Sequence, residues 1–110
     1  MDILESDWKL FIKNIPVWRE NYLAKINKEI IAILTEKKTT DTEKFWKAKE
    51  KIDNKLEIMK DCFDDNRRSN MLIKMMVMHK NKIINMDNIS GFSKDVVENV
   101  KKINEISRTI

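Results

Sequence analysis

Residues 40–63 read TDTEKFWKAKEKIDNKLEIMKDCF. Thr40 followed three residues later by Glu43 is a capping-box pattern, in which the threonine oxygen accepts from a free N–H of the first turn and the glutamate reaches back. Behind it Phe45, Ala48 or Lys49, Ile52, Leu56, Met59 and Phe63 recur at helical spacing. The positions between them are dense with charge, as the solvated side of an amphipathic helix is. The pattern predicts a helix over Asp41–Phe63 whose apolar stripe faces a core.

Towards the N-terminus the same period continues. Ser6 can cap a turn carrying Trp8, Phe11, Ile12 and Ile15, and beyond Pro16 follow Trp18, Tyr22, Ile26, Ile30, Ile33 and Leu34. A proline in a helix interior removes a hydrogen bond and crowds the preceding turn. At a first helical position it is harmless, so Pro16 either kinks one long helix or opens a second one; the expectation is a helix over Ser6–Glu36, bent at Pro16. Lys37 and Lys38 suit its C-terminal end, where exposed carbonyls favour positive charge.

Towards the C-terminus Asp64-Asp65-Asn66 forms a polar hinge. A methionine-rich helix is expected from Ser69 to Lys82, capped by Asn66 or Ser69. One short turn then lies between Asn85 and Gly91, with a reversal at the glycine. Ser93 caps the last helix, Lys94–Ser107, with Phe92 and Val97 placed as a hydrophobic staple. Val97, Val100, Ile103 and Ser107 continue its inner face, with Val96 beside them. Short connections between long helices make antiparallel neighbours. The expected fold class is all-α: an antiparallel helical bundle of about four helices forming a single domain over residues 1–110.

Composition agrees. One glycine and one proline in 110 residues is far too few for the many reversals of a sheet protein. The lone cysteine, Cys62, forms no internal disulfide, and it reads as a small buried hydrophobe beside Phe63. The first residues carry Asp2, Glu5 and Asp7 where a signal peptide would be basic and then apolar. No apolar run approaches the roughly 18 residues of a membrane span. The expectation is a cytoplasmic protein. Abundant Ile, Lys and Asn suit an AT-rich bacterial or phage genome.

The chemistry-bearing residue types are sparse. Structural zinc needs about four Cys or His ligands and catalytic zinc about three protein ligands; here there is one of each residue, Cys62 and His79. No glycine-rich phosphate loop is possible with one glycine. Arg19, Arg67 and Arg68 are not singled out by spacing as members of a catalytic cluster. The sequence implies no catalytic residue, no cofactor and no metal, hence no enzyme and no small-molecule substrate.

What remains is the segment Asn66–Met86. It holds Arg67, Arg68, Lys74, Lys80 and Lys82, none of the 18 acidic residues, and five of the seven methionines. Thioether side chains fill irregular cores and also line adaptable partner surfaces. Met71, Leu72, Met75, Met76, Met78 and Ile83 wrap more than half of the helix, more than one intramolecular face needs. A central helix packed on several neighbours explains this without any partner; a helix half-buried in the domain and half in an oligomer or partner interface is the other reading. The favoured reading is a binding or regulatory module acting through protein–protein contacts, as a homo-oligomer. Its candidate interface is Met71, Met75, Met76, Met78 and Trp46. Trp8, Trp18 and Trp46 all read first as core. Trp46 sits about 100° round the helix from Phe45, so one of that pair belongs at the core's edge.

The alternative is a DNA-binding regulator with a helix-turn-helix outline over residues 67–108. Arg67, Arg68, Lys74, Lys80, Lys82 and Lys94 would then be nucleic-acid contacts, with Asn99 also on the recognition helix. Against it, the middle helix is barely a turn, and Asp95, Glu98 and Glu105 accompany Lys94, Lys101, Lys102 and Arg108 in a mixed surface.

The elements Trp8-x-x-Phe11, Pro16-x-Trp18, Tyr22, Phe45-Trp46, Ile52, Arg68-Ser69-x-Met71 and Ile89-Ser90-Gly91-Phe92-Ser93 resemble a family of small uncharacterised all-α proteins of Gram-positive bacteria. Members are sometimes carried under a "multidrug transporter" label, although this chain has no membrane span. The resemblance covers most of the chain. It implies a fold, and it brings no catalytic residues with it.

Overall fold

A computed structural model describes residues 2–109, with side chains as far as Lys102. Its described residues form four α-helices: α1 (Glu5–Leu34), α2 (Asp41–Phe63), α3 (Met71–Lys80) and α4 (Lys94–Thr109). Short 3-10 turns at Arg68–Asn70 and Asp87–Ile89 lie on either side of α3. Among the described residues there is no strand. The side chains of Ile103, Glu105, Ser107 and Arg108 lie outside the described residues.

α1 is the spine. Pro16 lies inside it and the helix runs on past it. Its buried positions Phe11, Ile15, Trp18, Tyr22 and Ile26 recur at helical spacing along one stripe. Each side chain so buried contributes about 1.5–3 kcal/mol by leaving water. The helix starts one residue before Ser6. Leu4 occupies the N-cap position without a side-chain bond, and Ser6 stands exposed in the first turn.

α2 folds back on the C-terminal half of α1. Lys51 pairs with Glu29 at 3.1 Å, and the Lys55 ammonium lies 5.7 Å from the Tyr22 ring centre. Rising numbers on α2 meet falling numbers on α1, so the pair is antiparallel. The predicted cap of α2 is present: Thr40 Oγ1 accepts from Glu43 N–H at 3.1 Å.

α3 and α4 cover the N-terminal half of α1. Met71, Met75, Met78, Ile89, Val96 and Val100 are all fully buried there. Trp18 and Phe92 approach to 6.2 Å between ring centres, and Phe11 packs edge-on to Trp18. The molecule is accordingly elongated, 52 × 32 × 22 Å, with a four-helix half and a two-helix half.

The connections close with polar side chains. α3 ends in a Schellman arrangement: Ile83 N–H donates to the Met78 carbonyl at 2.8 Å and Lys82 N–H to that of His79 at 3.1 Å. Lys82 takes the left-handed conformation there, φ 60°. Neither Asn66 nor Ser69 caps α3. Instead Asn70 ties the preceding turn, accepting from Arg67 N–H and donating to the Asp65 carbonyl. Asn85 and Asn88 cap each other's backbone N–H groups at the turn before α4. Gly91 keeps negative φ, so the reversal does not depend on it.

Candidate functional site

The methionine helix is the central helix packed on several neighbours, and its candidate interface residues are corrected accordingly. Met71, Met75 and Met78 are 0% exposed, in the core between α3 and its main neighbours α2 and α4. They cannot form a partner interface in the folded chain; a helix between several neighbours needs apolar residues on several sides. Met76 is half-buried and also packs on the core. Of the methionine-helix residues, Ile73 is the one large hydrophobe well exposed.

The basic residues proposed for nucleic acid do not form one surface. Lys74 is buried, and its ammonium donates to the Asp64 carbonyl at the end of α2. That corrects its assignment as a phosphate contact: it ties α3 to the α2 terminus. Arg67 makes a two-pronged pair with Asp65, Nε to Oδ1 at 3.0 Å and Nη2 to Oδ2 at 2.5 Å. The Asp65 carboxyl is accordingly held below its usual range and the guanidinium raised. Arg68 reaches back to the chain start, 2.6 Å from Glu5 and 3.2 Å from the Ile3 carbonyl. Lys80 and Lys82 are exposed at the C-terminal end of α3, and Lys94 is exposed 3.9 Å from Glu98. The middle element of the helix-turn-helix outline is a single 3-10 turn, Asp87–Ile89.

The apolar surface lies on the two-helix half, on residues the sequence stripe had assigned to the core. Phe45 is 62% exposed, Trp46 58%, Leu56 47% and Ile52 43%. Across the seam on α1 stand Leu23, Ile30 and the exposed Leu34. Two adjoining apolar depressions run the length of this seam. One is lined by Ile30, Leu34, Phe45, Ala48 and Ile52 with Lys49, the other by Leu23, Ile26, Ile30, Ile52, Leu56 and Met59 with Asn27 and Lys55. Phe45 and Trp46 meet edge to face at 5.3 Å, holding the distal end of the surface in shape. Ile31, 58% exposed, stands about 100° round α1 from Ile30.

The seam's other side is polar. Glu29 and Lys51 sit about 100° round their helices from Ile30 and Ile52, and their ion pair closes that side. Lys51 holds the Glu29 carboxyl below its usual range through that contact. The hairpin is thus sealed by charge on one side and left apolar on the other.

Reactive groups are few. Cys62 is fully buried, and burial pushes its thiol up to about 11, with the nearby Asp61 charge adding to the effect. A thiol that stays protonated is a poor nucleophile. His79, Lys80, Lys82, Asn85 and Asn88 line a shallow polar depression at the end of α3. Among the described residues no group of three or more His, Cys, Asp or Glu side chains could hold a metal ion. No helix among them is long and apolar enough to cross a membrane.

No protein-family model, curated protein or solved structure matches this chain.

Proposed function

We propose that this chain is a helical protein-binding module that acts by contact and not by catalysis, and that its docking face is the apolar seam of the α1–α2 hairpin. The observation that carries the reading is the run of large apolar side chains left in water along that seam, from Phe45 to Leu56 on α2 and at Leu34 on α1. Monomeric proteins seldom leave contiguous apolar patches larger than roughly 300–600 Å² uncovered. A straight groove between two helices, apolar at its floor and charged at its rim through Lys49 and Asp53, suits the apolar face of a further helix. Trp46 and Phe45 are the residue types that carry binding energy in such contacts.

The reading moves the contact surface from α3 to α2 and retains Trp46 from the residues singled out in the sequence. A nucleic-acid role has weaker support, because Lys74 is buried and Arg67 and Arg68 are engaged by carboxylates of the same chain.

The test is site-specific photo-crosslinking in cells. A photoreactive side chain at Phe45 or Leu56 should form protein adducts, and one at Lys28 on the outer side of α1 should not. Nucleic-acid adducts from Lys80 or Lys82, with none from the seam, would show the reading to be wrong.

A further inference from the structure

We infer that the seam is covered by a second copy of this chain, docked antiparallel about a two-fold axis near Ile52, so that two α1–α2 hairpins complete one four-helix bundle. This rests on the seam being a protein-docking face, and it names the occupant.

A hairpin buries one stripe of each helix against the other, and four helices are needed to enclose a bundle core. In the proximal half of the molecule α3 and α4 supply that cover. In the distal half nothing among the described residues does, yet the stripe Phe45, Ile52, Leu56 continues the same period as the buried Phe63. The sequence is written for a four-helix core over the whole length of α2, and the chain provides one for only part of it.

Area supports a copy of equal size. A large aromatic side chain carries roughly 150–250 Å². At the exposures seen here, Leu34, Phe45, Ile52 and Leu56 together leave on the order of 400 Å² of side chain in water along the seam. A stable interface covers about 800 Å² per partner. With the partly buried Leu23, Ile30 and Met59 and a rim of Lys49 and Asp53 the seam approaches that area, and an isologous contact uses the same patch twice.

Shape fixes the direction. α3 and α4 thicken the end of the molecule where Asp7 and Ser93 meet. Parallel hairpins would bring two thick ends together at one end of the bundle. Antiparallel hairpins send them to opposite ends and leave the seams free to meet. Ile52 is midway between Phe45 and Met59, so the axis passes near it.

The experiment uses the full chain. Sedimentation over a wide concentration range should show a monomer–dimer equilibrium. Phe45→Glu and Leu56→Glu should each weaken it at least about 100-fold, because the two-fold places each new charge twice in an apolar contact. Both positions are exposed in the single chain, so helicity and melting should stay near wild type. Ile52→Cys should form a disulfide-linked dimer on mild oxidation, and Thr42→Cys, far from the axis, should not. Buried Cys62 leaves the wild-type background suitable for this. A dimer indifferent to both glutamate variants overturns the inference, as does crosslinking at Thr42→Cys in preference to Ile52→Cys. A clean monomer at high concentration overturns it too. If seam-specific protein adducts persist in that case, docking stands with another partner; if they are absent, both readings fall.

Discussion

Asp7, in the first turn of α1, accepts two hydrogen bonds from Ser93 at the start of α4: from its backbone N–H at 2.8 Å and from its hydroxyl at 2.6 Å. Asp7 is 3% exposed. Ser93 stands at the N-cap position, its carbonyl taking the first bond of the helix from Val97 N–H. A buried carboxylate is costly unless its acceptors are used; here it meets the free donors and the positive end of α4. Asp7→Ala should lower stability by about 2–4 kcal/mol, since it strands two donors beside the core. Asp7→Asn, which keeps one acceptor, should fall between it and wild type. Urea unfolding gives the ranking, and an alanine variant within 0.5 kcal/mol of wild type would contradict the clamp.

Glycine and lysine occupy each other's natural places. Lys82 is left-handed at the end of α3, where glycine carries no steric cost. Lys82→Gly should stabilise the protein by roughly 0.5–1 kcal/mol. Gly91 has negative φ, and a Cβ there would meet Leu10 Cδ2 at an ordinary 3.5 Å. Gly91→Ala should therefore also stabilise, by about 0.4–1 kcal/mol through the unfolded chain. Thermal melting of the two variants and the double mutant checks both signs, and the two gains should add.

Cys62 makes stability fall on the alkaline side. Its folded-state thiol is raised from 9.0 to about 11. Between those values the unfolded chain loses a proton that the folded chain keeps, so folding weakens as pH rises through that window. Cys62→Ala should reduce this slope, leaving the part contributed by the Tyr22 phenol, which burial also raises, while creating a small cavity at neutral pH. At pH 8 a thiol reagent should label the native protein only as fast as it opens. Prompt labelling would contradict the burial.

Two kinds of apolar-to-charged substitution should part cleanly. Met78→Asp buries an unpaired charge where exposure is zero, and should unfold the domain at a cost above about 4 kcal/mol. Leu56→Glu falls on a side chain 47% exposed, and should leave the monomer folded. Far-ultraviolet circular dichroism at low protein concentration distinguishes them. Equal loss of helix in both would mean that the seam is core.

The helices were legible because their causes are local. The Thr40–Glu43 cap, the spacing of Phe11, Ile15 and Trp18, and the glycine-poor composition each act within a few turns. What covers each stripe is not local. Phe45, Ile52 and Leu56 have the same spacing as buried residues, and only the placement of α3 and α4 at the other end of α1 leaves them in water. Met71, Met75 and Met78 could be read either as the sides of a central helix or as an interface, because residue type alone does not say how many neighbours a helix has; their burial shows the first. Lys74 could not be told from its exposed neighbours by residue type. Its partner, the Asp64 carbonyl, is a backbone atom with no signature in the sequence. Asp7 read simply as an acidic residue near a chain start; Ser93 stands 86 positions away.

That separation also sets an order of assembly. α1 and α2 are neighbours along the chain, so their pairing closes a short loop at little entropic cost. The Asp7–Ser93 contact closes nearly the whole chain, and its ordering cost is repaid only once α3 and α4 are in place. The contact should therefore form after the rate-limiting barrier. Stopped-flow kinetics of Asp7→Ala should show a folding rate close to wild type and an unfolding rate raised by roughly thirty-fold or more. The clamp between the first and last helices should be the last contact to close and the first to open.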